Sequence, residues 1–207
     1  MATIIFDFDG TLADTFALVV DVSYELTGVP RLPAEKLERL RAVPILQAVQ
    51  ALGAPRWLLW RQILQTRARM LPRMHTVQAF SGIPELLHAL HSAGNRLYVV
   101  SSNQEQNVRA FLKARKLEAY IDGVGEVLYS NVFYKVRGLK KLVRRMHQAP
   151  ADCVYVGNEA VDVLAAKRAG MRAIGVTWSG QHKASLQTAN PDAIVNTPKE
   201  LLKTLDK

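Results

Sequence analysis

Residues 3–12 read Thr3-Ile4-Ile5-Phe6-Asp7-Phe8-Asp9-Gly10-Thr11-Leu12, and the reading of this stretch decides the fold. Residues 4–8 have the composition of a short strand buried on both faces, running into a Gly-Thr turn. Two carboxylates, Asp7 and Asp9, stand two residues apart at its end. On a strand that spacing points both to one side.

Working outward, residues 15–79 show helical patterns only. Phe16 to Leu26 is amphipathic and is stopped by Gly28 and Pro30. Helices are also expected from Pro33 to Arg41, from Pro44 to Leu52, and from Arg56, opened by Pro55, to about Leu71. Proline in the first turn and glycine past the end are the usual punctuation. Beyond residue 80 the pattern alternates. Helices are expected at 84–93, 104–116, 135–147, 159–169 and from Pro198 onward. Strands are expected at 96–100, 153–156, 173–177 and 193–195, with a weak one at 125–129. Gly123-Val124-Gly125 reads as a turn. Apolar, non-alternating strands separated by helices predict a parallel sheet covered on both faces, an α/β fold. The expected organisation is a core of residues 1–14 and 80–207 with a helical insertion at 15–79.

The chain of 207 residues carries 27 Lys and Arg against 18 Asp and Glu, a net charge of +9. The excess leans toward the insertion, where nine basic residues face four acidic ones. A solvated helix face accounts for it, or attraction of an anionic substrate, with Arg41 and Arg61 as candidates. Nucleic acid is not an expected partner, because the basic residues are scattered and no zinc-finger spacing, RNP motif or basic arm accompanies them. No run approaches the ~18 apolar residues of a membrane span. Thr3 to Phe6 follows without a basic region or a cleavage site, so a secretion signal is not expected. Cys153 is the one cysteine and sits in an apolar run, as a small buried hydrophobe does. These readings predict a cytoplasmic protein. They leave its oligomeric state open.

The polar residues gather where a parallel sheet binds ligands, beyond the carboxyl ends of its strands. Asp7, Asp9 and Thr11 follow the first strand, Ser101-Ser102-Asn103 the second, and Asn158, Glu159 and Asp162 the strand at 153–156. Such a cluster of oxygen donors suits Mg²⁺, which keeps water and substrate phosphate as its other ligands. A metal there would let a carboxylate approach a phosphate dianion and form an aspartyl-phosphate. Lys135 would neutralise phosphoryl oxygens, and Ser101 with the N–H groups of 102–103 suits an anion.

At these residues the chain resembles the haloacid dehalogenase superfamily over nearly its whole length. The matching stretches are Ile4 to Thr15, Tyr98 to Asn103, Lys135, and Val156 to Asp162 with Ala165 to Met171. The resemblance implies a Rossmann-like sheet of order 5-4-1-2-3 and makes the insertion a small α-helical cap, as in phosphoglycolate phosphatase relatives. It implies Asp7 as nucleophile, Asp9 as general acid and base, and Thr11 as the residue orienting the loop. Ser101, Ser102 and Asn103 would bind phosphate, with Lys135 stabilising its charge. Mg²⁺ would be held among Asp7, Asp9, Asn158, Glu159 and Asp162. Asp9 favours phosphate esters over halides, since an alkoxide leaving group needs a proton and a halide does not. One position departs from the family: its last motif opens Gly-Asp, and here stands Gly157-Asn158. The expected activity is a Mg²⁺-dependent phosphomonoesterase acting on a small phosphorylated metabolite. A phosphosugar mutase of the same architecture is the first alternative. The second is a binding or regulatory module that has kept the fold.

Overall fold

The computed structural model describes residues 2–53, 57, 59–180 and 183–205. Strand β1, Thr3–Phe6, is buried at every position and pairs in parallel on both sides, with β4 (Arg96–Ser101) and β6 (Cys153–Gly157). Ile4 and Phe6 enter one apolar cluster and Ile5 the other, as the two-residue side-chain period requires. The first cluster lies under α5 (Ile83–Ser92), α6 (Glu105–Ala114) and α10 (Pro198–Leu205). The second lies under α7 (Val132–Arg145) and α8 (Ala160–Ala169). Strands β7 (Arg172–Val176) and β8 (Ala193–Val195) extend the sheet beyond β6, and β5 (Gly123–Glu126) closes the other edge. The order β5-β4-β1-β6-β7-β8 contains the expected 5-4-1-2-3 core with β8 as a sixth strand.

Several boundaries differ from the sequence reading. The first strand stops at Phe6, because the Phe8 carbonyl turns to accept N–H bonds from residues 11, 12 and 13. Gly123-Val124-Gly125 is the edge strand rather than a turn: Gly123 and Gly125 pair with Tyr98 and Val100, and a Cβ at Gly123 would meet the Tyr98 ring at 3.2 Å. Helix α7 starts three residues earlier than expected, at Val132, where the Asn131 side chain accepts the Tyr134 N–H at 3.0 Å. A short helix, α9 (Lys183–Thr188), was not foreseen.

The insertion leaves and re-enters the core through a two-residue antiparallel ladder, β2 (Ala13–Asp14) with β3 (Gln78–Ala79), so its end is not purely helical. Between them run α1 (Phe16–Thr27), α2 (Ala34–Arg41), α3 (Ile45–Ala51) and α4 (Leu59–Met70). The expected helix start at Pro55 and Arg56 lies outside the described residues. Leu18, Val19, Val22, Val49, Met70 and Met74 join the first core cluster, which ties these helices to the sheet. Val20, Tyr24 and Leu52 form a small cluster of their own.

Gly138 gives a stability prediction with an inverted sign. Within a helix, Gly→Ala ordinarily stabilises by about 1 kcal/mol. A Cβ at Gly138, however, would fall 2.3 Å from Cγ1 of the buried Val127. Gly138→Ala is therefore expected to destabilise by roughly 1–3 kcal/mol, the usual cost of overpacking, in urea unfolding.

Candidate active site

Asp7 carries on the β1 ladder by one bond, its N–H to the Val156 carbonyl at 2.8 Å, so its place is set by the sheet. The chain then folds back on Phe8. Gly10 takes the turn with φ +77°, lying so close to Asn158 that a Cβ would be 2.3 Å from the amide nitrogen. Thr11 Oγ1 donates to Asn158 Oδ1 at 3.3 Å, and Asn158 Nδ2 donates to Ser179 Oγ at 3.3 Å. The loop is thus tied to the end of β6. Trp178 Nε1 adds a bond to the Thr11 carbonyl at 2.9 Å.

Lys135 reaches Asp7 from helix α7. It shares the inward stripe of α7 with Leu139 and Val143, at the four-residue spacing of one helix face. It is 2% exposed, and its ammonium donates to Asp7 Oδ1 at 3.0 Å and to Asp162 Oδ1. The Tyr155 ring lies 5.9 Å beneath it, with the Tyr155 hydroxyl bonded to the Val100 carbonyl at 3.0 Å. Burial opposes the charge on Lys135, but Asp162 and Asp7 outweigh it and hold the ammonium well above its ordinary pKa. Burial pushes the Asp7 carboxyl well up, against the pull of Lys135, with Asp162 and Asp9 adding to the rise. Two carboxyl groups thus share one ammonium in this buried group.

Asp9 is fixed from two sides. Thr15 Oγ1 donates to its Oδ1 at 2.7 Å, and Asn103 Nδ2 donates to Oδ1 and Oδ2 at 3.1 and 3.2 Å. Burial raises its pKa although both partners favour the ionised form. That direction suits a carboxyl that must deliver a proton. Asn103 is itself steadied by Asn107 Nδ2 at 2.8 Å.

A cavity of about 60 Å³ opens here, with Asp7, Asp9, Ser102, Ser130, Asn158 and Glu159 among its lining residues. Ser101 and Asp162 stand behind it. The Ser101 hydroxyl accepts the Asn103 N–H at 3.0 Å, which shapes the loop after β4, and Ser102 is the serine on the wall. Asp162, read as a metal ligand, gives Oδ1 to Lys135 and accepts the Glu159 N–H with Oδ2 at 2.9 Å, capping α8. It serves Lys135 and the helix rather than the cavity. Glu159 does line the cavity, but its Oε1 accepts the Ile45 N–H at 3.0 Å and so joins core to insertion. Arg41 is on the wall, paired with Asp14 at 2.8 Å and stacked on Phe16, whereas Arg61 is exposed and lines neither this cavity nor its neighbour. Thr15, Ser130, Tyr155 and Ser179 carried no sequence signal beyond their place near a motif. Arg67 stands in the sequence only as one of the insertion's nine basic residues.

Residues 4–176 match the model of a family described as haloacid dehalogenase-like hydrolase. The chain belongs to that family. As a haloacid dehalogenase-like hydrolase it is an enzyme, and its relatives by sequence include phosphatases. It is 33% identical over 208 residues to the phosphoglycolate phosphatase of Synechococcus elongatus, covering 99% of this chain and 97% of that one. To the 5′-nucleotidase of Pseudomonas aeruginosa it is 27% identical over 194 residues, covering 91% and 88%. Among solved structures, a haloacid dehalogenase-like family hydrolase from Streptococcus pneumoniae superposes with a TM-score of 0.82 at 21% identity, over 99% and 98% of the two chains. That likeness shows the fold.

Proposed function

We propose that the chain is a cytoplasmic, magnesium-dependent phosphomonoesterase that hydrolyses a small organic phosphate through an aspartyl-phosphate on Asp7. One observation carries the reading: Asp7, bonded by Lys135, faces the same cavity as an Asp9 that Thr15 and Asn103 hold in place. The phosphatase named among the relatives, of full-length similarity, supports it.

In the proposed reaction a carboxylate oxygen of Asp7 forms a bond to phosphorus, and the ester P–O bond breaks. Asp9 gives its proton to the departing alkoxide. Water then attacks the phosphorus of the aspartyl-phosphate while Asp9 takes up its proton, which restores Asp7 and releases inorganic phosphate. Lys135 keeps its positive charge beside Asp7 throughout. Ser102, on the wall, supplies a hydroxyl to the phosphoryl oxygens.

The donors fit magnesium. Asp7 and Asn158 present hard oxygens on one wall beside Asp9, few enough that water and phosphate complete the shell. Among the described residues no group of three or more His, Cys, Asp or Glu is placed to hold a metal, so the proposed site counts on the amide oxygen of Asn158. When bound, the cation supplies charge neutralisation between nucleophile and phosphate. Asn158→Asp is expected to tighten Mg²⁺ binding about tenfold or more, since one added charge a few ångströms away is worth a few kcal/mol even at an effective dielectric near 20. Calorimetric titration with Mg²⁺ reads this without turnover. An unchanged affinity contradicts the placement of Asn158 at the metal.

The test of the function is phosphate release from a panel of esters with Mg²⁺, phosphoglycolate, sugar phosphates and 5′-nucleotides included. Phosphate transfer to a sugar without net release would point to a mutase. Absence of turnover with every ester would point to a binding module, the reading that Asn158 favours.

A further inference from the structure

The site has a second chamber. A cavity of about 60 Å³ adjoins the first under the insertion, and the two share Asp9, Ile45, Ser102 and Ser130. Asp9 therefore stands at their boundary. The first chamber holds Asp7, and in-line transfer places the leaving oxygen on the far side of phosphorus from the attacking carboxylate. The acid that protonates this oxygen is Asp9. Whatever group the oxygen carries must then extend past Asp9 into the second chamber.

Most of that chamber's surface is apolar, with Val19, Val49, Ile63 and Met70; beyond Asn103 and the polar residues it shares with the first chamber, α4 contributes Thr66 and Arg67 in succession. Both are buried, at 4% and 8% exposure. Arg67 donates one hydrogen bond, from Nη1 to the Leu128 carbonyl at 3.0 Å. Among the described residues it has no ion-pair partner. The Thr66 hydroxyl is buried with no hydrogen-bond partner. Asp9 and Glu126 act on the Arg67 guanidinium without pairing with it directly. A buried guanidinium without a direct ion pair, beside a buried hydroxyl lacking a partner, costs free energy that a ligand can return. The ligand that satisfies both is an anion with acceptor oxygens, and a carboxylate matches the planar guanidinium fork.

We infer that the second chamber is the leaving-group subsite, and that Arg67 with Thr66 binds a carboxylate there. The substrate class is then the phosphate ester of a short hydroxy acid. The inference rests on the phosphatase reading.

A matched pair of esters tests it: 2-phosphoglycolate and 2-hydroxyethyl phosphate, which differ by carboxylate against hydroxymethyl. The wild-type enzyme is expected to favour phosphoglycolate by about 10- to 100-fold in kcat/KM, as a charge-assisted contact allows. Arg67→Met is expected to bring that ratio to within about threefold of one, and Thr66→Val to lower it by about threefold. Free glycolate is expected to inhibit hydrolysis of the hydroxyethyl ester competitively in the wild type. If Arg67→Met does not fold, the wild-type ratio, Thr66→Val and glycolate inhibition decide the matter alone. Equal kcat/KM for the two esters in the wild type, without glycolate inhibition, overturns the subsite and leaves the phosphatase standing. No turnover of either ester or of p-nitrophenyl phosphate overturns the phosphatase reading and the subsite with it.

Discussion

Asp7→Asn is expected to abolish turnover while leaving the protein at least as stable as the wild type. The amide keeps the shape of the carboxylate but cannot form the bond to phosphorus, and loss of a covalent nucleophile lowers kcat by roughly 10⁴-fold or more. Stability moves the other way because of how the charges are arranged. Asp7, Lys135 and Asp162 are 6%, 2% and 0% exposed, and the two carboxylates share one ammonium. Burial already pushes Asp7 toward its neutral form. Replacing it by a neutral amide removes the surplus charge and leaves Lys135 paired with Asp162. A gain of about 1 kcal/mol in urea unfolding is expected, the pattern of a site that gives up stability for function. A variant that loses activity only because it fails to fold would contradict this account of the charge group.

Lys135→Met is expected to damage both properties. It leaves Asp7 and Asp162 buried without their common cation, and breaking such a group by removing one partner costs about 3–5 kcal/mol. Activity falls by about 10²–10³, as when a fixed positive donor is taken from a developing negative charge. The lost stability depends on pH in a definite sense. Lys135 holds the Asp7 pKa down, so its removal raises that folded-state value further. A carboxyl whose folded pKa lies above the unfolded value takes up a proton on folding, so the variant regains stability as pH falls from neutral toward the ordinary carboxylate range near ~4. Urea unfolding at pH 7 and pH 5 reads the difference. Equal destabilisation at both would show that the loss is one of packing and not of charge.

The sequence made the architecture legible because the strands are buried on both faces and the helices end at glycine and proline. What it concealed has local causes. Gly123 and Gly125 look like turn residues, yet they are an edge strand that leaves room for Tyr98 and Val100. The gathering of Asp7, Asp9 and Lys135 was readable because they lie in short motifs at strand and helix ends. The division between wall and support was not: Ser101 and Asp162 look like ligands from their positions, but each spends its oxygens on a neighbouring backbone N–H or on Lys135. Arg67 was hidden because its meaning depends on its burial beside Asp9 and Thr66 in three dimensions. No local pattern records that.

The central claim is that Asp7 carries the phosphoryl group, and trapping that intermediate tests it most directly. Acid quenching during turnover, followed by borohydride reduction and peptide mass spectrometry, is expected to convert residue 7 to homoserine in a substrate-dependent way. Reduction absent from residue 7 in an enzyme that is turning over, or found at Asp9 instead, would contradict it.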